Sequence, residues 1–109
     1  MKRLWVILFV IPLFAQKPLK YSISFPEITQ SNMPVLFLMH GYGNNEKQFN
    51  ELIEELNNKY LIVSMRAPFK FMVIKNRWYE YSISDGDTLS NQTQIDVSTN
   101  RIIKTIEHI

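Results

Sequence analysis

Val35-Leu36-Phe37-Leu38-Met39-His40-Gly41-Tyr42-Gly43-Asn44-Asn45-Glu46 changes character twice over a short span. Val35 to Met39 is an unbroken apolar run started by Pro34, the pattern of a strand buried on both faces. His40 to Asn45 supplies turn formers, and from Glu46 the apolar positions fall at Phe49, Leu52, Ile53 and Leu56, the spacing of one helical face. Asn45 with Gln48 makes a capping box, Glu46 suits the positive end of the helix dipole, and Asn57 and Asn58 terminate the helix. Tyr60 to Met65 is a second apolar run. Strand, helix and strand in this order predict a crossover between parallel strands, and hence an α/β fold: a mostly parallel sheet with flanking helices.

Before this unit, Tyr21, Ile23 and Phe25 alternate with Ser22 and Ser24 and are closed by Pro26, which predicts an outer strand with one buried face. After it, Arg66-Ala67-Pro68 ends the second apolar run. Phe69 to Tyr81 then mixes aromatic, apolar and basic residues without a period, the mark of an irregular excursion over the surface or across a site. Asp85-Gly86-Asp87 is a turn; as a calcium loop it lacks the further oxygen ligands and the terminal Glu. From about Asn91 a helix runs to the C-terminus, with Ile95, Ile102, Ile106 and Ile109 on one face.

The first residues follow signal-peptide grammar: a positive start at Lys2 and Arg3, apolar character from Leu4 to Ala15, and a return to polar residues at Gln16 and Lys17. An uncleaved signal anchor flanked by Lys17 and Lys20, or a buried strand, fits the same letters. The stretch is short of the roughly 20 residues that span a bilayer, and Pro12 interrupts it, which favours cleavage after Ala15. The expectation is a signal peptide at 1–15, a single domain at 16–109, a secreted or periplasmic location and no stable membrane anchor.

The chain has 109 residues and no cysteine, which excludes a thiolate nucleophile, disulfides and Cys-ligated metal. Its net charge is +2, and loss of Lys2 and Arg3 leaves basic and acidic residues equal in number. Phosphate binding needs clustered positive charge, so nucleic acid is excluded as a partner. The short basic run Lys70, Lys75 and Arg77 reads as solvated surface. The only histidines, His40 and His108, lie far apart, and no metal site is expected.

Leu38 to Glu46 resembles the loop after the third strand in the phospholipase/carboxylesterase family of α/β-hydrolases, where His-Gly is followed by a bulky residue, Gly and then Asp, Asn or Ser. Leu61 to Pro68 resembles that family's next strand with its Arg-Ala-Pro exit. Arg77-Trp78-Tyr79-Glu80 resembles its Trp-Tyr followed by an acidic residue. The resemblance runs from Val35 to Ile109. It implies that His40, Gly41, Tyr42 and Gly43 form an oxyanion-hole loop in which the Tyr42 backbone N–H is the donor. His40 would hold the loop rather than act as a base. Trp78 and Tyr79 would border the substrate pocket, unless they are ordinary core aromatics. Without the downstream blocks, Gly41 and Gly43 need do no more than allow a strand-to-helix turn.

A serine hydrolase of this kind needs Gly-x-Ser-x-Gly, then Asp or Glu, then His. Ser64, Ser82, Ser84, Ser90 and Ser98 have no elbow glycines, so none of the triad is present. The expectation is thus a partial α/β-hydrolase fold lacking the nucleophile strand and everything after it. The chain would be the N-terminal part of a secreted carboxylesterase-type serine hydrolase, inactive by itself. Its parent would cleave a small-molecule carboxylic ester through an acyl-serine, without a cofactor. One edge of the Val35 to Met39 strand is expected to be bare, which favours aggregation. The alternatives are a fragment of a peptidase or dienelactone-type hydrolase of the same fold, and a small secreted binding protein without catalysis.

Overall fold

The computed structural model describes residues 17–28 and 30–109; the signal peptide expected at 1–15 lies outside the described residues. In chain order the elements are β1 (Tyr21–Ser24), β2 (Val35–Met39), α1 (Asn50–Leu56), β3 (Leu61–Met65), β4 (Phe69–Met72), β5 (Lys75–Arg77), β6 (Tyr81–Ser84), β7 (Asp87–Ser90) and α2 (Gln92–His108).

These strands correct the expected mostly parallel sheet with flanking helices, and with it the partial α/β-hydrolase fold. Among the described residues they form one three-stranded sheet of order β1-β3-β2 and two separate two-stranded sheets, β4-β5 and β6-β7. Only β2 and β3 pair in parallel, from Val35 opposite Leu61 to Met39 opposite Met65. β1 joins the other side of β3 antiparallel, and both small sheets are antiparallel. The physical reason lies in residues 69–90. Phe69 to Tyr81 lacks a long period and was expected to be an excursion, but alternation over only three or four residues suffices for a hairpin, whose pairing is local and needs no crossover.

β3 is the centre of the core. Ile62, Val63, Ser64 and Met65 are all buried, because β3 alone has a strand on each side. Val63 and Met65 join Leu19, with Tyr21, Ile23, Phe37, Trp78 and Ile102 packed around them. Ser64 points to the opposite face, where its hydroxyl donates to the Glu46 carbonyl at 2.7 Å. β2 was expected to be buried on both faces. It is instead half-buried in its middle and exposed at Val35 and Met39, and among the described residues it has a strand partner on one side only.

α2 is capped at Asn91, whose side chain accepts from the Gln94 N–H. Its inner line is Ile95, Ser98, Ile102 and Thr105, rotated from the expected face: Ile106 and Ile109 are largely exposed. Two small polar residues carry the contact because each has a partner. Thr105 Oγ1 accepts the Leu19 N–H at 2.8 Å and donates to the Arg101 carbonyl, while Ser98 donates to the Trp78 carbonyl. Arg101 reaches the Lys17 and Pro18 carbonyls, so α2 binds the segment that enters β1.

Thr105→Val removes the acceptor of a buried amide while keeping the shape, and is expected to lower the unfolding free energy by about 1–3 kcal/mol. Ile106→Ala, on the exposed face, is expected to change it by about 0.5 kcal/mol or less. Urea unfolding of the two variants beside the parent checks the order; the reverse order contradicts the assignment of the inner face.

Candidate functional site

β2 ends at Met39, and the next side chain turns inward: His40 is 3% exposed. Its Nε2 receives the Ala67 N–H at 2.9 Å, and its Nδ1 lies 2.7 Å from the Gly41 carbonyl. A backbone N–H can only donate, so Nε2 is bare and Nδ1 carries the hydrogen: His40 is the neutral Nδ1–H tautomer. Burial pushes its pKa below the usual histidine value, against the Gly41 hydrogen bond and the charge of Glu46, while the Arg66 cation adds to the lowering. The Trp78 ring stacks on the imidazole at 5.1 Å, and its Nε1 donates to the His40 carbonyl at 2.8 Å. His40 therefore clamps the end of β2 to the chain leaving β3, with both nitrogens occupied.

The loop beyond is held by its amides. The Gly41 N–H donates to Gln48 Oε1 at 2.7 Å, Gly43 to the Asn76 carbonyl at 2.9 Å, and Asn44 to the Gly41 carbonyl at 3.2 Å. The Tyr42 N–H has no acceptor among the described residues. Gly43 has φ +77, where a side chain is strained, whereas Gly41 has an ordinary φ and room for a Cβ beside Gln48. Only Gly43 is required by the backbone.

Gln48 and Asn45 do not form the expected capping box. Gln48 is used on Gly41, Asn45 Oδ1 accepts from the Lys47 N–H, and α1 starts at Asn50 rather than Glu46, with Phe49 at its N-cap and no side-chain cap. Residues 46–49 are turns. Glu46 instead receives Arg66 Nε and Nη2 at 2.8 and 2.6 Å. Burial tends to raise the Glu46 pKa, but the hydrogen bonds and charge of Arg66 outweigh it and hold the carboxyl below its usual range.

The Tyr42 side chain leans out. Its hydroxyl accepts from Arg77 Nη1 at 3.0 Å, and its ring meets Phe71 and Tyr81 edge-on at 5.3 Å each. Arg77 also pairs with Glu80 at 2.6 Å and lies over the Phe71 ring, while its Nε is buried without a partner. Trp78 is placed in the core and on His40, and the half-buried Tyr79 follows it.

The structure thus brings His40, Gly41, Tyr42, Gly43 and Trp78 together. It adds Asn76, whose N–H donates to the Asn44 carbonyl and whose carbonyl accepts from the Gly43 N–H, and gives Gln48 and the Ala67 amide roles that the sequence did not assign to them. Among the described residues no histidine hydrogen-bonds a serine: both nitrogens of His40 are engaged, and Ser64 and Ser98 donate to backbone carbonyls. Among the described residues no group of three His, Asp or Glu side chains could hold a metal ion. Comparison with known protein families, curated proteins and solved structures finds no match for this chain.

Folding lowers the pKa of His40, so above about pH 6.5 both states are neutral and the clamp is intact. As pH falls below that value the unfolded chain takes up a proton before the folded one, and stability is lost until the folded pKa is passed. Urea unfolding from pH 7.5 to 4.5 is expected to show this loss in the parent, with a shallower slope in His40→Gln. NMR of the imidazole is expected to report the Nδ1–H tautomer and a midpoint below 6.5; a midpoint above it contradicts the clamp.

Proposed function

We propose that His40 to Gly43 is the oxyanion-binding loop of a carboxylesterase-type serine hydrolase, with the Tyr42 N–H as its donor. One observation carries this reading: between Gly41 and Asn44, Tyr42 alone offers an uncommitted N–H, while the amides on either side are tied down. A tetrahedral intermediate of ester cleavage places negative charge on one oxygen, and a fixed, unpaired amide stabilises it without reorganising at the moment of reaction. The clamp at His40 and the bond from Trp78 Nε1 to its carbonyl fix the loop from below, and the Gly43 turn fixes it from above.

The resemblance of the His-Gly loop, the Arg-Ala-Pro exit and the Arg77-Trp78-Tyr79-Glu80 block to the phospholipase/carboxylesterase family supports the same chemistry. In this reading the substrate is a carboxylic ester, the intermediate is an acyl-serine, and the protein is exported. The nucleophile, its acid and its base come from polypeptide outside residues 17–109, because no serine of the described residues has a base beside it. Without them, residues 17–109 give no useful turnover.

The test is the reading frame of the source transcript beyond the codon for Ile109. The expected result is a frame that continues into Gly-x-Ser-x-Gly, then Asp or Glu, then His, whose product is labelled on that serine by a fluorophosphonate. In that product, replacing the Tyr42 amide by an ester linkage is expected to lower kcat by about 10²–10³-fold. A stop codon directly after Ile109, with a soluble, cooperatively folding product, overturns the reading in favour of a binding protein.

A further inference from the structure

The two hairpins reverse direction in unlike ways. β6–β7 turns at Asp85-Gly86, both in the left-handed region at φ 51 and 83, with the residue types that this tight turn demands. β4–β5 turns through Val73-Ile74, between the paired Met72 and Lys75, and neither residue has a positive φ. Bulky β-branched residues do nothing for a turn that Gly, Asn or Asp would make more easily. They are also in water: Val73 is 88% exposed and Ile74 72%, and the adjoining Met72 and Phe71 are exposed as well. The hairpin therefore ends in four consecutive exposed apolar side chains, which favours transfer to a less polar medium.

Charge narrows the choice of medium. Lys70 and Lys75 flank the tip, are exposed, and form no ion pair among the described residues. From Arg66 to Tyr79 there are four basic residues and no acidic one, in a chain whose whole net charge is +2. Behind the tip a cleft of about 360 Å³ is lined by Asn45, Lys47, Lys70 and Asn76 together with Val73 and Ile74. Ammonium and amide donors beside aliphatic side chains are the composition that a phosphate-bearing headgroup and its acyl chains call for.

We propose that the hairpin of β4 and β5 is a docking finger for an anionic lipid surface, in which Met72 to Ile74 enter the interfacial layer and Lys70 and Lys75 meet the headgroup phosphates. Strand geometry puts the tip about 7–10 Å beyond Lys70 and about 3 Å beyond Lys75, which pairs with Met72 beside the turn. The reach beyond Lys70 matches the depth of about 5–10 Å at which interfacial segments lie. Docking is peripheral: no helix of the described residues is long and apolar enough to cross a membrane. The finger is also coupled to the Tyr42 loop, since Asn76 exchanges backbone hydrogen bonds with Gly43 and Asn44, and Asn45 Nδ2 donates to the Ile74 carbonyl. The proposal rests on the finger's own geometry and stands whether or not that loop serves ester cleavage.

The cysteine-free chain allows a direct test. Full-length protein carrying Val73→Cys labelled with an NBD fluorophore is mixed with vesicles of phosphatidylglycerol and phosphatidylcholine. A blue shift with a severalfold rise in emission is expected, while the same label at Thr88→Cys in β7 stays aqueous. In vesicle flotation, which separates bound protein from sinking aggregates, Lys70→Gln with Lys75→Gln is expected to lower partitioning by roughly thirtyfold. Val73→Asp with Ile74→Asp is expected to abolish it, and pure phosphatidylcholine to bind far more weakly than the mixture. An aqueous label at position 73, an equal response at position 88, or flotation unchanged in the hairpin variants overturns the proposal. So does a Val73→Asp variant that merely converts a dimer to a monomer, which would make the finger a seat for a second copy of this chain.

Discussion

The neutral imidazole of His40 is the point on which the arrangement depends. β2 and β3 lie parallel, and both chains leave the sheet at the same end, where their backbone amides lose strand partners. One ring, using one nitrogen as acceptor and the other as donor, satisfies a group from each departing chain. Protonation turns Nε2 into a second donor facing a donor, so the clamp works only while burial keeps the proton off.

Trp78 links this clamp to the rest of the molecule. Its ring covers His40, its indole N–H binds the carbonyl of the same residue, and its own carbonyl is taken by Ser98 of α2. Helix α2 is thereby connected to the loop at Tyr42 through one residue, by its ring on one side and its carbonyl on the other. Beside it, Arg77 serves Tyr42, Glu80 and the face of Phe71 at once, which orders the aromatic cluster but leaves its Nε buried and unpaired.

The elements legible in the sequence were those set by local pattern. The strands at Tyr21, Val35 and Leu61, the Asp85-Gly86 turn and the terminal helix all occur where alternation, apolar runs or turn residues put them. The parallel pairing of the strands at Val35 and Leu61 was legible from the strand-helix-strand order, but the rest of the sheet was not, because an apolar run does not show which further neighbours a strand has. Phe69 to Tyr81, read as an irregular excursion, holds the β4–β5 hairpin and the start of β6, because strands of three and four residues carry almost no period. The inner face of α2 was misplaced because hydrophobicity ranks Ile106 above Thr105, whereas a threonine with two hydrogen-bond partners is the better buried residue. At the site, the His-Gly loop could be located but not its fastenings. Gln48, Asn76 and the Ala67 amide act through backbone geometry that only the folded chain creates.

The bond from Leu19 to Thr105 spans 86 residues, and it has a consequence in time. A ribosome adding roughly 5–20 residues each second makes the second partner several seconds after the first. Over that interval the segment at Leu19 and the strand that follows it have no helix to lie against, while both hairpins can already close within microseconds of being made. The hairpins therefore form before that contact, and the segment at Leu19 is among the last of the described residues to be sheltered. Its exposure during synthesis is governed by the rate of translation, so slowing the ribosome over the final helix prolongs the aggregation-prone interval without altering any contact in the finished fold.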